Sequence, residues 1–179
     1  MTFPEVWTKT DQVSGLYLKE EARCLYNAVR RVPRGGKVVE LGPLFGRSTT
    51  VLAEVGKVLK LDITCIDCFA IESTGAREAF ERNVLLKYPD VTLLETTTAQ
   101  AAESWRAPIH FLHIDADHQE DSIQRDCENW IKHVAKGSMV AFHDYTNWMF
   151  PSVAKWADYY TGEWEEVCRG GSLLVRQKP

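Results

Sequence analysis

The chain has 179 residues, of which 45% are hydrophobic and 26% are charged, and these values are ordinary for a globular protein. A chain of this length buries roughly two thirds of the surface that its unfolded form exposes, so it needs neither disulfides nor metals to fold. The formal charge of -4 and the pI near 5.8 argue against a non-specific polyanion binder, which needs a clustered lysine and arginine face. The longest apolar runs are far shorter than a membrane span. Composition therefore predicts a single soluble domain over residues 1–179 that binds neither nucleic acid nor membranes.

The cysteines and the start of the chain indicate a compartment. No basic segment followed by an apolar core is present at the start, so no secretory signal is predicted. The five cysteines form an odd set without zinc-finger spacing, and we expect a reducing, cytoplasmic location. Cys65 and Cys68 form a C-x-x-C pair, a pattern that also occurs in redox and zinc sites. This pair crosses the end of a predicted strand and no second pair follows, so strand packing is the preferred interpretation.

The first predicted elements form a β-turn-α unit. Apolar residues at helical spacing predict a helix over residues 16–32, which Pro33 ends. The run KVVELG then predicts a buried strand. After the turn PLFG, a helix is predicted over residues 48–59, with Ser48 able to cap its start.

The same alternation continues to the end of the chain. Further strands are predicted for LDITCIDCF, VTLLETTT, IHFLHIDA and GSMVAFHDY, and further helices for residues 76–87, 99–105, 123–135 and 152–160. Two short strands, EWEEVCR and SLLVRQ, are joined by Gly170 and Gly171. Alternating strands and helices imply right-handed crossovers. We therefore predict an α/β fold with a seven-stranded, mostly parallel sheet, helices on both faces and a C-terminal antiparallel hairpin.

The carboxyl ends of the first two strands carry the first candidate site. Ligands of such sheets bind beyond these ends. Glu40 directly precedes a turn whose glycines, Gly42 and Gly46, allow the backbone to approach a ligand closely. Asp67 ends the second strand beside this turn, where a carboxylate can accept hydrogen bonds from both hydroxyls of a ribose. A nucleoside-containing ligand is predicted, with a plain tight turn and a helix-capping role for Asp67 as alternatives.

The densest group of ionisable residues follows the fourth and fifth strands. Asp115 and His118 lie after the fourth strand, and His143 and Asp144 after the fifth. Because these strands should be neighbours, the four side chains are expected to converge. Burial of so many ionisable groups is costly without a metal, ligand or catalytic task, although exposed loop tips are an alternative. The other histidines are predicted to be structural: His110, His113 and His133.

These motifs together resemble class I S-adenosylmethionine (SAM)-dependent methyltransferases, and among them the small-molecule family of macrolide-sugar and rhamnosyl O-methyltransferases. VVELGPLFGRSTTVLAE looks like the SAM loop of the family, IDCFA like its ribose-binding strand end, and STGAREAFERNV like the helix that follows. Residues 111–145 are similar to its most specific stretch, with an Ile-Asp-x-Asp-His segment and a His-Asp-Tyr strand end. The resemblance covers nearly the whole chain and implies a Rossmann-like sheet.

The resemblance also implies which residues bind SAM. The set is Glu40, Gly42, Gly46, Ser48, Asp67, Cys68, Thr97, Thr98 and Asp115. In this set the two glycines line the methionine end of SAM, and Glu40 lies near its amino group. Asp67 binds the ribose hydroxyls, and Thr97 or Thr98 lies beside the adenine.

In metal-dependent members of the family, the corresponding residues hold a divalent cation. The resemblance assigns this role to Asp115, His143 and Asp144, and places His118 where some relatives have a general base. We therefore expect His118 and Asp115 to be catalytic. Because His143 brings a nitrogen donor, manganese and iron are considered beside magnesium.

The predicted function is transfer of a methyl group from SAM to a hydroxyl oxygen of a small molecule, with metal assistance as an open element. A catalytically inactive SAM-binding partner or regulatory subunit is the first alternative. An NAD-type dehydrogenase is the second, but the GPLFG loop lacks the Gly-x-Gly-x-x-Gly spacing of dinucleotide sites.

The acceptor site is predicted only by aromatic and apolar residues. Candidates for its wall, which could equally be core or dimer contacts, are Trp105, Tyr145, Asn147, Trp148, Met149 and Phe150. Few residues precede the first strand, so we expect a lid over the acceptor to be missing or to come from another subunit of a homo-oligomer.

Overall fold

The computed structural model describes residues 1–70 and 75–179. Ser73 and Thr74, the first two residues of the STGAREAFERNV motif, lie outside the described residues. The described strands form one seven-stranded sheet in the order β3-β2-β1-β4-β5-β7-β6. Their bounds are β1 Lys37–Leu41, β2 Asp62–Asp67, β3 Val91–Glu95, β4 Ile109–Ile114, β5 Val134–Phe142, β6 Glu165–Gly170 and β7 Leu173–Gln177.

The sheet has the predicted mixture of strand directions. Strands β1 to β5 pair in parallel, and β7 pairs antiparallel with both β5 and β6. Strand β1 lies between β2 and β4, so the strand order reverses there. Because ligands of open parallel sheets bind at such a reversal, this topology places a cleft beyond the carboxyl end of β1. The predicted α/β fold with a C-terminal antiparallel hairpin is confirmed.

The helices cover both faces of this sheet. Their bounds are α1 Phe3–Thr10, α2 Lys19–Val29, α3 Arg47–Leu59, α4 Ala76–Phe80, α5 Thr98–Ser104, α6 Glu120–Trp130 and α7 Pro151–Thr161. Alternate residues of a strand face opposite sides, so Val38 of β1 packs in the core beneath α1, α2 and α3. Val39 packs in the second core, with α5, α6 and α7. The two cores give a three-layer molecule.

Five helix starts differ from the sequence prediction by one to three residues, and hydrogen bonds account for two of them, those of α2 and α3. Helix α2 begins at Lys19 because the Glu21 carboxylate accepts a hydrogen bond from the Leu18 amide at 2.5 Å, which stabilises the start of the helix there. Helix α3 begins at Arg47, and its N-cap position is Gly46. The predicted capping role of Ser48 is therefore wrong, because its hydroxyl donates to Glu40 instead.

Other differences concern one helix that was not predicted and the ends of two that were. Helix α1 has no counterpart in the sequence analysis, although Phe3, Val6 and Thr10 at helical spacing form its buried face. The helix predicted over residues 76–87 is α4 followed by a π-helical turn over Glu81–Leu85. Helix α6 likewise continues as a 3-10 turn over Ile131–His133.

The cysteines are arranged differently from the expectation of five reduced thiols. Cys24 of α2 and Cys168 of β6 form a disulfide, whereas Cys65, Cys68 and Cys127 are free. Cys65 is buried in β2, as predicted for strand packing, but Cys68 is exposed beyond the strand end.

A separate expectation concerned membranes. Along the described part of the chain, no helix combines the length and apolarity needed to cross a membrane.

Candidate active site

The candidate site lies where four parallel strands end side by side. The strand register pairs Leu41 with Ile114, and Ile114 with Phe142. The backbone pairing continues one residue further, since the Asp115 amide donates to Leu41 and the His143 amide donates to Ile114. The sheet therefore brings the predicted residues of β1, β4 and β5 to one edge.

The glycine loop after β1 packs against the chain that leaves β4. Gly42 has a φ of +80°, and a Cβ there would lie 2.3 Å from the Asp115 carbonyl oxygen. Gly46 has a φ of +88°, and a Cβ there would lie 2.3 Å from a methyl group of Val84. No side chain fits at either position without a shift of the loop. The two predicted glycines are thus required by backbone conformation and by close approach.

The Glu40 carboxylate lies beneath this loop and is fully buried. It accepts hydrogen bonds from the hydroxyls of Ser48 at 2.6 Å and Thr49 at 2.5 Å, and it contacts the Nδ1 atom of His113 at 3.0 Å. Cys65 Sγ lies 3.5 Å from the same carboxylate. Glu40 and Ser48 therefore bind each other, and their contacts with SAM stay a prediction.

Asp67 lies beside the glycine loop, as the sequence predicts. Its carboxylate accepts hydrogen bonds from the amides of Leu44 at 3.2 Å and Phe69 at 2.8 Å. Burial raises the pKa of Asp67 against the effect of these two amides. Leu44 and Phe69 both have a φ of 47°, a left-handed conformation that is uncommon for such residues and often occurs at functional sites. The carboxylate is held beside the glycine loop, and its contact with a ribose stays a prediction.

The two predicted adenine-side threonines start helix α5. Thr97 is the N-cap residue, and its hydroxyl accepts a hydrogen bond from the Gln100 amide at 3.2 Å. The neighbouring Thr96 amide donates to the Asp67 carbonyl at 3.1 Å, so this helix start adjoins the ribose-side residue. The Thr98 hydroxyl donates to the Asp126 carboxylate at 2.5 Å and is directed toward α6. Thr97 thus has the more exposed side chain of the two.

The four ionisable residues after β4 and β5 meet in one cluster. One ligand atom from each of Asp115, His118, His143 and Asp144 lies within 4.8 Å of the others. His143 Nδ1 lies 2.9 Å from Asp115 Oδ1 and 3.4 Å from Asp144 Oδ2. His118 Nε2 lies 3.5 Å from an oxygen of each acid. The predicted convergence of these residues is present.

In this cluster, charge interactions and hydrogen bonds shift the pKa values of His143 and Asp115 more strongly than burial does. Burial alone would lower the pKa of His143, but the charge of Asp115 and hydrogen bonds with Asp115, Asp144 and Glu21 raise it to about 12. Burial alone would raise the pKa of Asp115, but the charge of His143, the neighbouring His118 ring and the hydrogen bond with His143 lower it to about 2. Imidazolium and carboxylate groups therefore compensate each other in the ligand-free protein.

The donor set of the cluster fits a divalent cation. The two carboxylates and the His143 imidazole offer a mixture of oxygen and nitrogen ligands. Such a mixture suits manganese or iron better than magnesium, which prefers oxygen ligands alone. His118 Nε2 is buried and has no hydrogen-bond partner within residues 1–70 and 75–179. An unsatisfied buried nitrogen is costly, and a ligand in the cluster would satisfy it.

Sequence analysis missed two residues that contact this cluster. Glu21 of α2 lies 3.3 Å from His143 Nε2, and the ring of Tyr17 stacks on that of His143 with centroids 4.8 Å apart. Tyr17 also meets His113 edge-on at 5.8 Å. The position of Glu21, four residues before Leu25 on the buried face of α2, was an available signal, because an acid on an apolar face requires polar partners. The Tyr17 position has no such signal.

The candidate acceptor residues separate into four groups. Phe150 stacks on His118 with centroids 4.7 Å apart, and Asn147 donates to Asp144 at 2.9 Å. Trp148 and Met149 are exposed between these two residues. The Tyr145 hydroxyl donates to the Asp158 carboxylate. Trp105 instead packs against Trp130 near Lys37, at the amino ends of the strands, so of the alternatives given for it the core contact fits and the acceptor wall does not.

Comparison with known proteins assigns the family. Residues 39–145, more than half of the chain, match the family described as Methyltransferase domain. This range begins in β1 and ends just after the His143-Asp144 pair, so it includes the glycine loop, Asp67 and the ionisable cluster.

Solved structures share the fold at low sequence identity. CalS11, a TDP-rhamnose 3'-O-methyltransferase of calicheamicin biosynthesis, is 18% identical, with a TM-score of 0.66 over 87% of this chain and 76% of its own. A putative caffeoyl-CoA O-methyltransferase from Staphylococcus aureus is 12% identical, with a TM-score of 0.72 over 100% of this chain and 93% of its own. The methyltransferase PaMTH1 of Podospora anserina, solved with S-adenosylhomocysteine (SAH) bound, is 13% identical, with a TM-score of 0.69 over 99% and 87%.

Other similar structures are described as rRNA methylases, so the shared fold is compatible with more than one class of acceptor. The family match covers the strand ends that carry the predicted cofactor residues, and the reaction of this family is methyl transfer. The chain therefore belongs to the methyltransferase-domain family and is a SAM-dependent methyltransferase.

Proposed function

We propose that this methyltransferase transfers the methyl group of SAM to a hydroxyl oxygen of a small molecule, with a divalent cation bound at Asp115, His143 and Asp144. The observation that supports the proposal is the ionisable cluster, which lies directly beside the glycine loop. Gly42 approaches the Asp115 backbone so closely that the predicted cofactor site and the cluster share one wall.

The residues of this chain would divide the work as follows. Gly42, Gly46 and Asp67 would hold SAM, which would supply an electrophilic methyl group and leave as SAH. A cation held by the cluster would lower the pKa of an acceptor hydroxyl and orient it. His118 Nε2, which lacks a hydrogen-bond partner among the described residues, accepts the hydroxyl proton while the oxygen bonds to the methyl carbon.

The acceptor class is proposed from chemistry and from similar proteins. CalS11 acts on a TDP-linked rhamnose, and the Staphylococcus aureus protein is described as a putative caffeoyl-CoA O-methyltransferase. Trp148 and Met149 are exposed beside the cluster and offer an apolar surface to a sugar or a phenol ring. A nucleic acid acceptor is disfavoured by the net charge of -4 and by the acids at the site.

The direct test is turnover with defined acceptors. Protein treated with a chelator is incubated with SAM, with a TDP-linked deoxysugar or a catechol-type phenol, and with manganese, iron or magnesium. Formation of SAH and of the methylated acceptor, followed by mass spectrometry, supports the proposal. Binding of SAH without turnover on any acceptor favours the inactive binding subunit instead.

Replacement of His118 tests its proposed role as a base. His118→Ala should leave SAH affinity within about twofold and reduce kcat on the order of a hundredfold to ten-thousandfold, because only proton transfer is lost. His133→Ala, in the 3-10 turn after α6, is the matched control. Calorimetry with SAH and initial rates give the two readouts, and full activity of His118→Ala would contradict the role.

The domain, oligomer and compartment also belong to the proposal. We propose one domain over residues 1–179 and a homo-oligomer in which another copy covers the acceptor. The cytoplasmic location rests on composition. The Cys24–Cys168 disulfide counts against it, because disulfides are rare in that compartment. Mass spectrometry of thiol-blocked protein from cells tests the location, because a reduced pair is expected in the cytoplasm.

A further inference from the structure

The buried acid of α2 is the least expected feature of the site. Glu21 is 1% exposed, and no lysine or arginine pairs with it within the described chain. Its Oε1 atom accepts from the amide of Ser172 at 2.9 Å and from the Ser172 hydroxyl at 2.7 Å. Its Oε2 atom accepts from the Leu18 amide at 2.5 Å and lies 3.3 Å from His143 Nε2. The carboxylate is therefore anchored on two sides before it meets the histidine.

The His143 ring is contacted at both nitrogens and on one face. Nδ1 faces the acids of the cluster, with Asp115 Oδ1 at 2.9 Å, whereas Nε2 faces Glu21. The Tyr17 ring stacks on the imidazole at an interplanar angle of 21°. A ring flip would place a carbon atom against each acid, so the orientation of the ring is set by Glu21 and Asp115 together.

We propose that Glu21 is a positioning residue for the metal site, because it holds the Nε2 proton of His143 and thereby directs the Nδ1 lone pair at the cation. This inference rests on the proposed function, which places a cation in the cluster. Histidines that bind metals commonly donate their other N–H to a carboxylate, and loss of such a partner typically costs tenfold to a hundredfold in metal affinity.

The geometry also predicts how a glutamine in place of Glu21 would change the protonation of His143. The Glu21 carboxylate offers two acceptor oxygens, one to Ser172 and one to Leu18 and His143. A glutamine offers only one acceptor, so its NH₂ group must face either the Ser172 donors or the Leu18 and His143 side. In the second orientation the amide donates to Nε2, and the proton of His143 moves to Nδ1, where it blocks the cation.

Glu21→Gln is the test variant, and manganese is the probe. We expect manganese affinity, measured by calorimetry, to fall tenfold to a hundredfold, while SAH affinity stays within about twofold. Nitrogen NMR of the zinc-loaded parent should show a protonated Nε2 and a metal-bound Nδ1 on His143. Unchanged manganese affinity in both Glu21→Gln and Glu21→Leu, the second of which offers the Nε2 proton no acceptor in any orientation, would overturn the inference, as would a metal-bound Nε2 in the parent.

A control variant on the same helix separates positioning from a general effect on α2. Glu20→Gln changes an exposed acid next to Glu21 and should retain the manganese affinity of the parent within about twofold. If Glu20→Gln weakens manganese binding as much as Glu21→Gln does, the effect is not specific to the Glu21–His143 contact and the inference is wrong.

Failure of the proposed function has a different signature. A parent protein that takes up no manganese contradicts the metal site itself. The nitrogen spectrum of the metal-free protein then decides only whether Glu21 holds the Nε2 proton of His143: loss of the protected Nε2–H signal in Glu21→Gln shows that it does, and an unchanged spectrum overturns the inference at that step as well.

Discussion

Asp126 is a buried acid near the site that lacks the charge compensation of Asp115. Among the described residues its hydrogen-bond partner is the Thr98 hydroxyl, at 2.5 Å. Burial raises the pKa of Asp126 to about 6, although the Thr98 hydrogen bond and the charge of Arg125 act in the opposite direction. The folded protein therefore binds a proton at Asp126 at a pH where the unfolded chain has already released it.

This difference predicts how stability depends on pH. The pKa of Asp126 rises from 3.8 to about 6 on folding, so the free energy of unfolding should fall as the pH rises through that window. Asp126→Asn removes the effect and should stabilise the protein by up to about 3 kcal/mol at about pH 7.5, with little gain at about pH 4. Urea unfolding at both values measures the difference, with the exposed Asp121→Asn as control. An equal gain at both pH values would show that ionisation of Asp126 does not cause the stabilisation.

Residues at strand ends could be predicted from sequence, whereas their long-range partners could not. Asp115 and His143 directly follow apolar β-branched or aromatic runs, and parallel strands bring such ends together. Glu21 reaches His143 across 122 residues of sequence, and no local pattern relates the two. For Ser48 the local sequence pattern predicted a helix cap, and that prediction failed. Its hydroxyl donates to the buried Glu40, a partner that the local pattern does not show.

At the scale of elements, Arg47 links the glycine loop to the start of the chain. It is the first residue of α3, and it donates to the carbonyl of Tyr17 and the carboxylate of Asp11, both at 2.9 Å. A third hydrogen bond reaches the Val13 carbonyl, and the guanidinium lies 5.2 Å from the Trp7 ring centroid. The segment between α1 and α2 is therefore fastened to the loop that is predicted to bind SAM, and this segment carries Tyr17 onto His143.

Loss of this link should loosen the segment without unfolding the sheet. Arg47→Ala removes three hydrogen bonds, and each hydrogen bond from a charged group contributes roughly 1.5 to 3 kcal/mol. We expect amide hydrogen exchange over residues 11–18 to be at least about tenfold faster, with exchange in β4 unchanged. Arg34→Ala, which loses one exposed bond to the Val58 carbonyl, is the control. Unchanged exchange over residues 11–18 would show that the segment is held by other contacts.

Strands were easier to predict than helix boundaries for a physical reason. The β-branched run in β3 and the apolar run in β4 are typical of buried strands, and both strands lie where expected. The start of α2 depends instead on a Glu21 hydrogen bond, and the π-helical turn over Glu81–Leu85 packs against Gly46 of a distant loop. Such boundaries are set by tertiary contacts, which propensity does not contain.

At the scale of the whole molecule, the disulfide closes the two ends of the chain on each other. Cys24 and Cys168 are separated by 144 residues, so the bond encloses the entire parallel part of the sheet. A cross-link of this length restricts the unfolded chain, and the loop-entropy relation gives a stabilisation of about 5 kcal/mol. Beside the bond, a Cβ on Gly170 would lie 3.1 Å from the Cβ of Cys24, so β6 packs closely against α2 there.

Cys24→Ser should therefore lower the free energy of unfolding by up to about 5 kcal/mol while retaining SAH binding, since the bond lies outside the strand-end cleft. The parent should lose a similar amount when a thiol reductant is added, and the variant should not respond to the reductant. Cys68→Ser, which replaces an exposed free thiol, should match the parent under both conditions. Denaturant unfolding with and without reductant measures all three. A parent whose stability is indifferent to the reductant, or whose Cys24 is free in a thiol assay, would show that the two cysteines are not joined in solution.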